Sequence, residues 1–194
     1  ESRGLGDVYK RQMMQALGEL TGTINLPPLW AIGYHQSRYN PSYKPADVLW
    51  ITSEMRRRHH PCDVIWFDID YMDGKRLFTY DDSDYFSAAG VPNPLAMNDS
   101  LHSRNFKAGY ITDPGVKIDD SYIVYQQGQE GDHWVKTEDK VTDYEGEVWP
   151  GMCKFPDFTR PETREWWAGL YGEFYKENLS LIHISEPTRL LSIS

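Results

Sequence analysis

Cysteine, net positive charge and long apolar runs are all scarce in this chain. The 194 residues include two cysteines, Cys62 and Cys153, so the pattern does not indicate a disulfide framework. A formal charge of -9 disfavours a nucleic acid or an anionic membrane as a partner. No apolar run approaches the roughly 18 residues of a membrane span. These features favour a soluble domain with a neutral polar partner, and they leave the cellular compartment and the oligomeric state open.

Aromatic residues, in contrast, are abundant. They make up 14% of the chain and include 7 Trp and 13 Tyr. We expect most of them in the core, but such rings also stack on the flat faces of ligands. The composition is therefore compatible with a binding surface for a polar molecule that has an apolar face.

The order of the predicted elements is typical of a parallel α/β sheet. A first strand is predicted to begin near Leu29, because the prolines before it end any earlier helix. A helix is predicted over 46–59, a second strand over 63–71, a short helix over 94–104 and a third strand over 106–112. Strands that alternate with helices in this way form βαβ units.

Two further segments follow the third strand. The polar residues 117–140 are predicted to be a long loop, and loops of this length are more often functional than idle. A helix is predicted from Pro161 to about Asn178, with Pro and acidic residues in its first turn and Thr159 as a candidate cap. An additional short extended piece is predicted over 78–80.

The two ends of the chain differ from the rest. Residues 1–12 and 179–194 resemble translated read-through of sequencing adapters, and such segments are excluded from fold reasoning. We therefore expect the native sequence to span 13–178 and to be an interior piece of a longer protein. A natural tail at each end is the alternative.

A cluster of carboxylates follows the second predicted strand. An apolar run ends in Asp68, Ile69 and Asp70, with Asp73 close behind. Ionised Asp is costly to bury, so these residues are expected where the strand emerges into a polar cleft. Alternation along a strand predicts that Asp68 and Asp70 point the same way and Ile69 the other. A carboxylate there can accept hydrogen bonds from two neighbouring sugar hydroxyls.

Other interpretations of this cluster stay open at this point. An Asp-x-Asp pair also serves nucleotide-sugar transferases as a metal handle, and a single Asp often only caps the next turn. A calcium loop is disfavoured, because position twelve counted from Asp68 is Thr79 rather than Glu. The segment 146–151 is a second constellation, in which Trp149 precedes Pro-Gly. Trp149 is either a platform for a sugar ring or a plug that packs the loop onto the fold.

Five segments in order resemble family 31 of the glycoside hydrolases, the α-glucosidases and their relatives. They are residues 26–39, 63–72, 111–116, 146–151 and 155–159. The resemblance implies an α/β fold that is a partial (β/α)₈ TIM barrel, with the first three βα units and the long loop after strand three. It further implies an active site at the carboxyl ends of the strands and retaining hydrolysis of terminal α-linked glucose in an oligosaccharide or glucan, without a metal or organic cofactor.

Retaining hydrolysis needs two carboxyl groups about 5 Å apart. The family's nucleophile lies in a Trp-x-Asp-Met-Asn-Glu motif on strand four, and no such motif occurs in these 194 residues. We therefore expect the chain to lack both the nucleophile and the acid/base, and to be inactive alone. The alternatives are an α-xylosidase, an α-glucan lyase or a transglycosylase of the same family, or a non-catalytic carbohydrate-binding protein.

The resemblance also assigns substrate-binding roles residue by residue. Asp68 matches the residue that binds hydroxyls of the terminal glucose. The expected apolar and aromatic walls of that subsite are Ile69, Ile111 and Trp149, and Tyr39 matches a position further out in the pocket. Asp70 and Asp113 are expected behind these residues, where they support the strand ends by hydrogen bonds.

Overall fold

A computed structural model describes residues 3–23, 25–86, 91 and 93–178. The chain divides into two compact units, Glu1–Gly33 and Tyr34–Ser194. The first contains helix α1 (Arg3–Thr21) and a short 3₁₀ helix, Leu29–Ile32. Helix α1 crosses the expected boundary between residues 12 and 13, whereas the adapter-like segment 179–194 lies outside the described residues. The strand predicted near Leu29 is wrong, because that stretch forms the 3₁₀ helix.

The second unit begins with three parallel strands joined by helices. Strands β1 (His35–Ser37), β2 (Val64–Phe67) and β3 (Lys107–Tyr110) lie in the order β1-β2-β3. Helix α2 (Pro45–Arg57) connects the first pair and α3 (Pro94–His102) the second. The predicted βαβ pattern is confirmed here, with shorter strands than the sequence suggested.

Local caps explain where the two connecting helices begin. The Asp47 carboxylate accepts a hydrogen bond from the backbone N–H of Lys44 at 3.0 Å, and Pro45 occupies the first turn of α2. The Asn93 side chain accepts from the N–H of Ala96 at 2.9 Å, again with a proline directly after the cap. Proline is tolerated there because an N–H group in the first turn would have no acceptor within the helix, so its absence costs nothing.

Strand β2 is the centre of the core. Ile65 and Phe67 on one face are each 1% exposed and Val64 on the other face is 3% exposed, as expected for a strand covered on both faces. The Phe67 ring stacks on Tyr110 with centroids 4.6 Å apart, and the Tyr110 hydroxyl donates to the Asn98 side chain at 2.8 Å. This network fixes β2 against β3 and α3.

Arg56, near the end of α2, joins the starts of two strands. Its guanidinium donates to the backbone carbonyls of Cys62, Arg104 and Asn105 at 3.1, 2.9 and 2.9 Å. It also lies over the Phe106 ring, 3.7 Å from the centroid. These residues precede β2 and β3, so Arg56 stabilises the edge of the sheet where the strands begin.

The segment after β3 is more structured than predicted. It contains β4 (Val116–Lys117), α4 (Ile123–Glu130), β5 (Glu145–Val148) and β6 (Gly151–Lys154). The three strands form an antiparallel sheet in the order β4-β6-β5. The prediction of a loop over 117–140 is therefore wrong, and the polar composition of α4 explains the miss.

The remaining predictions have mixed outcomes. Helix α5 (Pro161–Asn178) is confirmed. The Thr159 hydroxyl donates to Asp157 at 2.6 Å instead of capping α5, which begins two residues later. Residues 78–80 are not extended as predicted, since Phe78 has a φ of 57°.

Both cysteines are free and buried. Among the described helices, none is long and apolar enough to cross a membrane.

Candidate functional site

The carboxyl ends of the three parallel strands meet at one edge of the sheet. Tyr39 follows β1, Asp68 and Ile69 follow β2, and Ile111 follows β3. An open cavity of about 390 Å³ lies at this edge. Its lining residues are Tyr39, Asp68, Ile69, Lys75, Ile111, Asp113 and Trp149. The structure thus brings all five residues predicted to bind substrate around one hollow, together with Lys75 and Asp113.

Asp68 is positioned by the turn that ends β2. Its carboxylate accepts a hydrogen bond from the N–H of Ile69 at 2.8 Å and thereby caps the 3₁₀ helix Ile69–Tyr71. A carboxylate has about four acceptor positions, so most of the acceptor capacity of Asp68 remains for a ligand. Ile69, 9% exposed, adds an apolar wall beside it.

Asp70 does not behave as the sequence predicted. The strand ends at Phe67 and a 3₁₀ helix follows, so the strand alternation that paired Asp68 with Asp70 does not apply. The Asp70 carboxylate makes no side-chain hydrogen bond to any described residue and is not part of the cavity lining. Burial and the neighbouring Asp68 carboxylate raise its pKa, while Lys75 acts in the opposite direction. Its predicted role as a hydrogen-bonded support is wrong.

Trp149 reaches the cavity from the tip of the β5–β6 hairpin. Val148 pairs with Gly151, which leaves Trp149 and Pro150 as a two-residue loop. Gly151 has a φ of 108°, a conformation that glycine adopts without steric cost. The Trp149 indole N–H donates a hydrogen bond to the Asp113 carboxylate. The Trp149 ring, which is partly buried, also packs against the core. Trp149 is therefore both a wall of the cavity and a residue that packs the hairpin against the core, and its predicted role as a platform for a sugar ring stays a prediction.

Asp113 and Lys75 line the cavity although the sequence does not predict them there. The sequence predicts Asp113 behind the wall, and the structure places it in the wall, with Trp149 as its hydrogen-bond partner. The sequence pattern does not predict a role for Lys75. The available signal was its position directly after Gly74, five residues beyond Asp70 in the loop that follows β2.

The cavity lining carries both negative and positive groups, with more negative than positive charge. Asp68 and Asp113 contribute carboxylates and Lys75 contributes an ammonium group. Ile69, Ile111 and Trp149 add apolar surface to the same lining. Such a mixture of acceptors, a donor and flat apolar walls suits a neutral molecule with many hydroxyls and an apolar ring face.

No group of three or more His, Cys, Asp or Glu side chains within the described ranges is placed to hold a metal ion. His133 illustrates the structural use of such residues. Its Nδ1 lies 3.1 Å from the Thr163 hydroxyl, and its ring stacks on Trp166 at a centroid distance of 4.6 Å. Burial and the nearby Arg160 lower the pKa of His133.

The three parallel strands with helical connections, and the cavity at their carboxyl ends, are consistent with a TIM-barrel domain, and a comparison with known proteins identifies the family. Residues 24–190 match the sequence profile of the glycosyl hydrolases family 31 TIM-barrel domain. The chain belongs to this family, as the resemblance predicted.

Individual relatives agree with this assignment. The chain is similar to neutral α-glucosidase AB of Sus scrofa, with 44% identity over 167 residues, covering 85% of this chain and 17% of that protein. It is also similar to α-glucosidase 2 of Bacillus thermoamyloliquefaciens, with 40% identity, covering 86% of this chain and 20% of the relative.

Solved structures give the same result. The family 31 α-glucosidase from Bacteroides thetaiotaomicron is 44% identical, with a TM-score of 0.73, over 87% of this chain and 27% of that one. The catalytic and regulatory complex of ER glucosidase II contains a chain that is 36% identical, with a TM-score of 0.71, over 79% of this chain and 16% of that one. The chain thus spans about one fifth of the length of the curated relatives described above.

Proposed function

We propose that this chain is a segment of a retaining α-glucosidase-type glycoside hydrolase, acting on terminal α-linked glucose in oligosaccharides or glucans. In this proposal, residues 13–178 form the first three βα units of the catalytic barrel and the insertion after β3, which contains β4, α4, β5 and β6. We also propose that residues 1–12 and 179–194 are non-native, and the family match, which extends to residue 190, includes part of the second segment. The observation that carries the proposal is the shared cavity formed by Asp68, Ile111 and Trp149 at the carboxyl ends of the strands.

The proposed roles follow from the chemistry of each side chain. Asp68 accepts hydrogen bonds from hydroxyls of the terminal glucose, and these bonds to a charged acceptor are stronger than neutral ones. Ile69, Ile111 and Trp149 cover the apolar face of the ring. Tyr39 lies further out and contacts the sugar beyond the terminal unit. The indole–carboxylate bond between Trp149 and Asp113 holds the aromatic wall in place.

Bond cleavage requires a second set of residues. A retaining mechanism uses one carboxylate as the nucleophile and a carboxylic acid about 5 Å away as acid and then base. We propose that both belong to the full-length enzyme beyond this segment. The segment contributes recognition, because it binds the sugar ring in an orientation that presents the anomeric carbon to those groups.

An activity assay tests this proposal. The full-length enzyme is expected to hydrolyse an aryl α-glucoside and maltose, whereas the purified 194-residue chain is expected to show no turnover above a mock preparation. The assay uses release of the aryl alcohol and of glucose as readouts. Turnover by the isolated chain would refute the proposed division of roles.

Other outcomes of the same assay identify the alternatives. Preference for an aryl α-xyloside indicates an α-xylosidase, an unsaturated sugar product indicates a lyase, and transfer to a second sugar indicates a transglycosylase. Sugar binding by the full-length protein without any turnover indicates a non-catalytic carbohydrate-binding protein. Each of these outcomes contradicts the proposed hydrolysis of α-glucosides.

A further inference from the structure

Lys75 lines the cavity beside Asp68 and Asp113 but has no assigned role. Its ammonium group makes no hydrogen bond or ion pair with any residue that the structure describes, and the nearby Asp70 carboxylate, whose pKa it lowers, interacts with it only through charge. It is the only cationic side chain in the cavity lining, as far as the described residues show. An ammonium group has three donors and no acceptor, so all three donors of Lys75 are available to a molecule in the cavity.

The backbone under Lys75 has an unusual conformation. Gly74 and Lys75 are consecutive residues with positive φ, 55° and 61°. Glycine adopts positive φ freely, but a residue with a Cβ atom, such as lysine, adopts it rarely. Such positions persist when the surrounding structure enforces them, and they concentrate at functional sites.

Contacts within the loop enforce this conformation. The Arg76 guanidinium forms an ion pair with the Asp73 carboxylate. The backbone carbonyl of Arg76 accepts a hydrogen bond from the Thr79 hydroxyl at 2.6 Å. The Thr79 hydroxyl in turn accepts from the N–H of Asp73 at 3.1 Å. The loop around Lys75 is therefore closed on itself by three side chains.

The insertion after β3 holds the same loop from outside. Lys117 donates to the carbonyl of Gly74 at 2.9 Å, and Asp119 lies 3.5 Å from the Arg76 guanidinium. Both contacts involve residues directly next to Lys75. The direction in which Lys75 leaves the backbone is thus fixed by the loop and by the insertion together.

The charges around Lys75 indicate the kind of ligand group that it binds. Asp68 accepts hydrogen bonds only, whereas Lys75 donates them only. A sugar hydroxyl both donates and accepts, so one hydroxyl or a pair of adjacent hydroxyls can bind Asp68 and Lys75 at once. An anionic sugar is disfavoured, because the carboxylates of Asp68 and Asp113 line the cavity and the Asp70 carboxylate lies near Asp68 and Lys75.

We infer that Lys75 is a specificity-determining residue, which donates hydrogen bonds to hydroxyl oxygens of the neutral sugar that Asp68 holds. This inference rests on the proposed function and adds a donor to its recognition site. It also gives a reason for the left-handed backbone, which directs the side chain into the cavity.

Kinetics of the full-length enzyme test the inference. Lys75→Met removes the donors while it keeps most of the side-chain length, and kcat/KM for maltose is expected to fall at least tenfold. Lys75→Arg keeps the donors and is expected to lose less. The matched control is Lys140→Met, because Lys140 also has positive φ (59°) and is exposed in the insertion. If Lys75→Met does not fold, Lys75→Asn replaces it, since Asn tolerates positive φ.

A series of monodeoxy aryl α-glucosides separates recognition from a structural role. The unmodified enzyme is expected to discriminate against the analogue that lacks the hydroxyl bound by Lys75, and Lys75→Met is expected to lose that discrimination alone. Unchanged discrimination at every position, or kinetics equal to those of Lys140→Met, would overturn the inference and leave the proposed function intact. Absence of turnover by the unmodified enzyme on every α-glucoside would instead refute the proposed function, and the inference with it.

Discussion

Asp68 combines a structural role with the binding role that we propose for it. Its carboxylate caps the turn after β2 through one backbone N–H, and the rest of its acceptor capacity faces the cavity. An Asn side chain keeps an acceptor for the cap but loses the negative charge. A substitution at this position therefore separates the two roles.

We predict that Asp68→Asn strongly weakens sugar recognition in the full-length enzyme. Hydrogen bonds to a charged group contribute about 1.5 to 3 kcal/mol, which corresponds to a loss of roughly 10- to 150-fold in kcat/KM. The measurement is steady-state hydrolysis of an aryl α-glucoside. Asp99→Asn, at an exposed position of α3, is the matched control and should have no effect. Kinetics of Asp68→Asn equal to those of this control would remove Asp68 from the site.

The residues of the cavity differ in how far the sequence could predict them. The positions of Asp68 and Ile111 follow from the predicted strands, because the residues that come directly after neighbouring parallel strands lie at the same edge of the sheet. Lys75 lies in a loop whose direction depends on two left-handed residues and on contacts from the distant insertion. Neither local pattern nor alternation contains that information.

At the scale of elements, the helices with clear end signals were predicted well. Pro45, Pro94 and Pro161 each begin a helix close to its predicted start. Helix α4 was missed because it is short and contains Gln residues and Gly128, which do not form a continuous apolar stripe. It is stabilised by the packing of Trp134 against Tyr125, whose ring centroids are 6.1 Å apart.

Gly128 provides a test of this packing. A Cβ atom at this position would lie 2.1 Å from Cζ2 of Trp134, which is 1% exposed. We predict that Gly128→Ala lowers the free energy of unfolding by about 1 to 3 kcal/mol, as overpacked cores do. The control is Gly169→Ala in α5, where a Cβ has open space and should stabilise the helix by up to about 1 kcal/mol. Urea unfolding of the chain measures both, and equal effects would contradict the packing.

His133 makes the junction between α4 and α5 sensitive to pH. Because its pKa is lowered in the folded state by burial and Arg160, the unfolded chain binds a proton at higher pH than the folded chain does. The free energy of unfolding should therefore decrease as pH falls below about 6.5, the ordinary value for His, towards the lower pKa of the folded state. Above that window the contribution is fully present.

Unfolding measured between pH 7.5 and 5 tests this prediction. His133→Gln should reduce the decrease in stability over the window, since Gln does not titrate. His60→Gln, at an exposed position, should leave the decrease unchanged. The same pH dependence in both variants would show that His133 is not its source.

In the whole parallel sheet, the two ends of the strands differ in function. The carboxyl ends of the strands carry the cavity, whereas the amino ends are tied together by Arg56. The sequence placed basic residues at the end of α2, but it could not show that Arg56 would reach carbonyls 48 and 49 positions away. Contacts of this range depend on the assembled sheet.

This division predicts a variant that loses stability but keeps sugar recognition. Arg56→Met should lower the free energy of unfolding by about 2 to 4 kcal/mol, because three carbonyls lose a charged donor and the cation over Phe106 is removed. KM for an aryl α-glucoside should not change in the full-length enzyme. Arg58→Met is the control, since Arg58 forms an exposed pair with Glu54 and such pairs contribute little. A large change in KM for Arg56→Met would contradict the separation of the two edges.

We propose that the three strand ends and the hairpin tip together form one subsite for a terminal glucose. The most direct measurement is a crystal structure of the full-length enzyme soaked with glucose. We expect a sugar whose hydroxyls lie within hydrogen-bond distance of the Asp68 carboxylate and whose ring packs against Ile111 and Trp149. Glucose bound elsewhere, with no contact to Asp68, would show that these residues do not form the subsite.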